Sequence, residues 1–217
     1  MVSQANRVQQ CRKLVVLFTF VVSLTLTAHA AVLGVGGTAP PTALTPAASS
    51  SILASITGTI VTPTFTTDYT TWVKSDPTNN FCSGCLDFVY QFTNLGPHPN
   101  QRFSMSSFSG FMVDAGTNPF GVHDPNTVSR SMTLGGDVVS FNFNTFGNDI
   151  VPGETTVQLV IMTNALHFEP GFLSAQNGTA GSGAGFQPSV IPEPTSLMLM
   201  GTGVLALSGL VRKAMRG

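Results

Sequence analysis

The chain has 217 residues, of which 42% are hydrophobic and only 9% charged, with nine Lys and Arg against ten Asp and Glu. The charges are segregated: residues 31–194 hold three basic side chains (Lys74, Arg102, Arg130) and ten acidic ones, a net of −7, and the other six basic residues lie at the two ends. An acidic body without a basic cluster repels phosphate backbones, which argues against a nucleic-acid partner.

At the N-terminus, Arg7, Arg12 and Lys13 precede an apolar run from Leu14 to Leu26, and Ala28-His29-Ala30 follows. A basic start, a core of about a dozen apolar residues and small residues around a cleavage point are the three parts of a secretory signal. The core is short for a bilayer span. Residues 1–30 are therefore expected to engage the secretion translocon and to be removed by signal peptidase, which reads Ala28 and Ala30. Residues 31–51 are mostly Gly, Pro, Ala, Thr and Ser, a composition expected of a flexible lead-in.

Residues 52–173 carry strand signals. Leu86, Phe88, Tyr90 and Phe92 alternate with other residues, as do Val139, Phe141 and Phe143, and then Val157, Leu159 and Ile161. Period two with Thr, Phe and Val enrichment predicts half-buried strands. Further strands are expected at 52–61, 69–74, 102–111 and 129–134, the last turning at Gly135-Gly136-Asp137. With no amphipathic helical pattern, seven to nine short strands predict an all-β fold. The expected form is a single antiparallel β-sandwich, Ig-like or jelly-roll, between the signal peptide and a C-terminal transmembrane helix. Residues 174–190, rich in Gly, Ser and Ala, are expected to be a tether.

Candidate chemistry in the body is sparse. Cys11 departs with the signal, leaving Cys82 and Cys85 as an even pair in an oxidising compartment, and they are expected to form a disulfide that fixes a turn. Their C-x-x-C spacing also occurs in redox pairs, but a strand pattern follows here instead of a thiol-activating helix. His98, His123 and His167 show no metal-binding spacing, and no G-x-S-x-G elbow accompanies His123, Asp124 and Asp114. Asp114, Asp124, Asp137, Asp149 and Glu154 are candidates for loop Ca²⁺ binding but follow no calcium-loop pattern. No catalytic residue, metal ligand or cofactor is therefore expected. Tyr69 and Trp72 remain as candidate sugar contacts, placed on opposite faces by their spacing of three along one strand.

The C-terminal stretch is the most specific part of the chain. Ile191-Pro192-Glu193-Pro194 precedes an apolar run at 195–211, and Arg212, Lys213 and Arg216 follow. As a helix the run reaches about 25 Å, close to a bilayer core, and the basic tail predicts a cytoplasmic end. Each proline pushes its preceding residue out of the helical region, so Ile191 and Glu193 are expected to be extended and open to a processing enzyme. Residues 191–217 resemble the PEP-CTERM sorting signal. The segment from Asn79 to Tyr90 is also similar to one found in some PEP-CTERM proteins of unassigned function.

The resemblance implies processing near Pro194 by exosortase, a membrane-embedded cysteine transpeptidase of Gram-negative bacteria that make exopolysaccharide. It thus implies an inner-membrane precursor held by its C-terminal helix, and then a place in the cell envelope, on the cell surface or in the extracellular matrix. The expected function is a non-enzymatic structural or adhesive one. The alternative is a carbohydrate-binding module for exopolysaccharide, ahead of a secreted hydrolase.

Overall fold

The structure, a computed structural model, describes residues 32–144 and 147–190. The expected signal peptide with Ala28 and Ala30, the Pro192-Glu193-Pro194 motif, the apolar span 195–211 and the basic residues Arg212, Lys213 and Arg216 lie outside the described residues. Among the described residues no helix is long and apolar enough to cross a membrane.

The described chain is almost wholly β. Its strands are β1 (Thr38–Ala39), β2 (Thr42–Ala43), β3 (Ser51–Val61), β4 (Phe65–Asp76), β5 (Cys85–Pro97) and β6 (Arg102–Met105), followed by β7 (Val113–Asn118), β8 (Thr127–Arg130), β9 (Val139–Asn142), β10 (Gln158–Thr163), β11 (His167–Asn177) and β12 (Thr179–Ser189). They form two six-stranded sheets, β1-β8-β9-β6-β11-β12 and β2-β7-β10-β5-β4-β3. The expectation of purely antiparallel sheets fails at one pair: β2 runs parallel to β7, with Thr42 opposite Gly116.

Period two explains how the sheets close on one core. Leu86, Phe88, Tyr90 and Phe92 point inward from β5, while Phe103, Val128, Phe141 and Leu173 point inward from the other sheet, and all join one buried cluster. Phe92 stacks on Phe103 at 3.8 Å between ring centroids, and Phe103 meets Phe143 edge-on at 5.8 Å. Full burial of such a side chain contributes about 1.5–3 kcal/mol, so the aromatic contacts between the sheets are a major part of what holds them together.

Both flanking segments differ from their sequence expectations. Residues 32–51, expected as a lead-in, supply β1 and β2 and bury Leu33 and Leu44. Residues 174–189, expected as a tether, complete an 11-residue hairpin pairing in which Phe172 faces Ala184 and Ser174 faces Ser182. The reason is steric rather than entropic. A Cβ at Gly183 would fall 2.7 Å from the Tyr69 ring and one at Gly181 2.5 Å from Ile60, so glycine is what lets β12 lie against the second sheet. Expected strands also shorten. β6 ends at Met105, before Ser107 with its positive φ of 71°, and β8 ends at Arg130, before a 3-10 turn at Thr133–Gly135. β7 was not anticipated, because Asp114, Gly116 and Asn118 read as loop residues until β10 and β2 pair on either side of them.

Candidate functional site

Three polar arrangements stand out, each built by strand register. The first lies under the segment between β4 and β5. Cys82 and Cys85 are bonded, with Cα atoms 5.3 Å apart, and close this segment over the outward face of the second sheet. Beneath it, Asp76 and Asp87 are fully buried. Asp76 accepts the Thr78 N–H (2.8 Å), the Thr78 hydroxyl (2.9 Å) and the Ala47 N–H (3.1 Å). Asp87 accepts from Asn79 Nδ2 at 2.7 Å through Oδ1, while no protein donor reaches its buried Oδ2. Asn80 Nδ2 reaches across to Asp114 on β7 at 2.8 Å.

The two facing carboxyls differ in their proton affinity. Burial pushes Asp87 up to about 8, reinforced by its hydrogen bond and repulsion with Asp76 and opposed by Asn79 and Lys74. Burial also acts upward on Asp76, but the donors from Thr78, Ala47 and Asp87 overcome it and hold that carboxyl below its ordinary value. Asp87 therefore favours its protonated form at neutral pH and Asp76 its ionised form.

The second arrangement is a shallow trough on the outward face of the second sheet. Thr57 and Thr59 of β3, Asp68 and Thr70 of β4, and Gln91 and Thr93 of β5 line it, with Thr59 donating to Asp68 at 2.6 Å. These positions alternate with core residues such as Tyr69 and Phe92, which explains both the polar face and its flatness. Half-buried Trp72 lies two residues beyond Thr70 on the same face. Tyr69 also borders the trough, but it is only 6% exposed and packs near Phe92 at 6.3 Å, so its ring belongs to the core.

The third is a hydroxyl row across the other sheet. Thr38, Ser129, Ser140, Ser104, Ser174 and Ser182 stand opposite one another through all six strands, and Ser104 and Ser140 hydrogen-bond at 2.8 Å. Exposed Arg102 borders the row, its Nε donating to Asn142 at 2.6 Å, as does Phe172 at 70% exposure. Arg130 has a different role. Its buried guanidinium donates to the carbonyls of Leu33, Gly136, Phe108 and Phe111, tying four segments together, and its burial lowers its proton affinity.

The residues considered for hydrolytic chemistry are not assembled into a triad. His123 Nδ1 lies 3.2 Å from Glu154 and its Nε2 2.9 Å from the Asn148 carbonyl, whereas Asp114 is engaged by Asn80. Among the described residues no group of three or more His, Cys, Asp or Glu side chains is arranged to hold a metal ion.

The decisive likeness to other proteins lies beyond the sheets, where residues 190–213 match the PEP-CTERM protein-sorting motif. This chain carries a PEP-CTERM sorting signal. That signal implies export and sorting by exosortase, to the envelope or surface of a Gram-negative bacterium, and it contains Pro192, Glu193, Pro194, Arg212 and Lys213. Arg216 falls just outside the matched stretch. No curated protein and no solved structure matches the chain. Two features had a sequence signal: the cysteine pair, and the pattern that puts Trp72 and Tyr69 on opposite faces. The carboxyl pair had none, because Asp76 and Asp87 become neighbours only through strand pairing.

Proposed function

We propose that this PEP-CTERM protein is a non-enzymatic structural or adhesive component of the cell envelope or extracellular matrix. In this reading its signal peptide is removed, its C-terminal helix holds the precursor in the inner membrane, and exosortase processing near Pro194 delivers a β-sandwich of Ig-like or jelly-roll type. The observation that carries it is the pairing of a sorting signal with a body whose two sheets carry rows of hydroxyl-bearing residues on their outward sides. Such faces make many weak, water-tolerant hydrogen bonds to a hydrated polymer without demanding one small ligand. The test is fractionation of the native host with intact-mass analysis. A species running from Ala31 to about Pro194 in the envelope or medium supports the reading, and a cytoplasmic protein sinks it.

A carbohydrate-binding module for exopolysaccharide is the second reading, favoured by Trp72 beside the Thr- and Gln-lined trough. An indole flanked by amide and hydroxyl groups suits the apolar face and the rim of a sugar ring. Co-sedimentation with the host's purified polysaccharide tests it. Retention unaffected by Trp72→Ala counts against the trough.

A further inference from the structure

β3 ends the second sheet: it pairs with β4 along ten of its residues, and no described strand covers its other edge. β12 crosses its inward side at Ile60 without pairing to it as a strand. About every second residue of this eleven-residue strand therefore directs its backbone N–H and C=O to the open edge. The segment Ser51–Val61 (SILASITGTIV) has none of the charges or prolines by which edge strands normally prevent further pairing. Only the bulge between Ile52 and Ala54 interrupts it, near its start.

The side chains of this edge are self-complementary about Thr57. Ala54, Ile56, Gly58 and Ile60 point inward, opposite Val73, Thr71, Tyr69 and Thr67 of β4, while Ser55, Thr57 and Thr59 point outward. If a second β3 is laid antiparallel with Thr57 on the two-fold axis, Ile56 faces Gly58 and Ile60 faces Ala54, so that each large side chain meets a small one. Ser55 then faces Thr59, and Thr57 faces its own copy. Beyond these, Leu53 and Val61, 49% and 73% exposed, come opposite each other. No charge is placed against a like charge, and the partly exposed Ile56 becomes covered.

We infer that two copies of this chain associate through β3, antiparallel about Thr57, to make a continuous twelve-stranded sheet. The partner is a second copy rather than a foreign strand because a closed two-fold interface requires a self-matching pattern, and this strand has one. The contact also joins the two Thr-lined troughs, since Thr57 and Thr59 line each of them. This goes beyond the proposed envelope role and does not depend on it.

The test uses the full chain in detergent. Sedimentation should show a concentration-dependent dimer, and Thr57→Lys, an exposed substitution that sets two cations on the axis, should weaken it by at least about tenfold with unchanged circular dichroism. Register is checked by mild oxidation. Thr57→Cys should give a covalent dimer above the wild-type background, because directly opposed strand residues lie within disulfide range, about 4.5–5.5 Å between Cα atoms. Ser55→Cys alone should not, whereas mixing it with Thr59→Cys should. A wild type that stays monomeric at all concentrations overturns the inference. So does Thr57→Cys linking no better than wild type, or Ser55→Cys linking as well as Thr57→Cys.

Discussion

Asp76 and Asp87 are buried on adjacent strands beneath the disulfide-closed segment, and the donors around Asp76 hold its carboxyl below the ordinary value while burial pushes Asp87 up. Because Asp87 is raised to about 8 from an ordinary 3.8, the folded chain holds a proton that the unfolded chain has released between those values. Its contribution to stability is therefore complete below about 4, falls as pH rises, and is gone above about 8. Asp76 behaves oppositely: its lowered value contributes stability above 3.8 that is lost as pH falls below it. Together these two carboxyls contribute most at mildly acidic pH.

Asp87→Asn should abolish most of the decline in melting temperature between pH 5 and 9, since its amide can donate to Asp76 and still accept from Asn79 without ionising. Asp76→Asn leaves the Thr78 and Ala47 N–H groups with a poorer acceptor and should cost about 1–3 kcal/mol at neutral pH. Urea melts across this range check both, and an unchanged slope for Asp87→Asn would refute the raised proton affinity of Asp87.

Arg130 is a structural tie. Replacing it by Ala removes a donor from four carbonyls, of which Phe108 keeps the Phe111 N–H, and opens a cavity between the segments that carry them, so a loss of at least about 3 kcal/mol is expected. Lysine should recover only part of this, since three rotatable donors on one nitrogen cannot reproduce the planar fork. Denaturant midpoints of the two variants settle the difference.

Gly183 tests the hairpin. An alanine methyl there meets the buried Tyr69 ring at 2.7 Å, so Gly183→Ala should cost about 1–3 kcal/mol and raise hydrogen exchange selectively in β11 and β12. Equal exchange in wild type and variant would mean that the hairpin does not rest on the second sheet.

Trp72 and Tyr69, alike by sequence, should separate by experiment. Tyr69→Ala removes a core ring and should cost about 3–5 kcal/mol, whereas Trp72→Ala acts at a half-buried position on the outward face and should leave a folded protein. Thermal melts of both, followed by polysaccharide retention of Trp72→Ala, distinguish a core role from a surface one.

Much of the fold was legible because it rests on local alternation. The spacing of Leu86, Phe88, Tyr90 and Phe92 announced both a strand and its inward face, and the structure buries all four. Two of the errors share one cause, the reading of small or turn-forming residues as flexible ones. Gly181 and Gly183 suggested a tether, yet they are small because the second sheet lies against them. The same holds for Asp114, Gly116 and Asn118, which look like a loop until two neighbours satisfy their backbone.

By itself the sequence determined the sorting signal, because a targeting motif is read by its machinery as a short linear pattern. It also determined the all-β class, because hydrophobic period is a property of neighbours along one strand. Only the tertiary structure decided which polar groups meet. The Asp76–Asp87 pair, the hydroxyl row across six strands and the open edge at β3 all depend on strand order and register, and a pairing shifted by a single residue would have dispersed them.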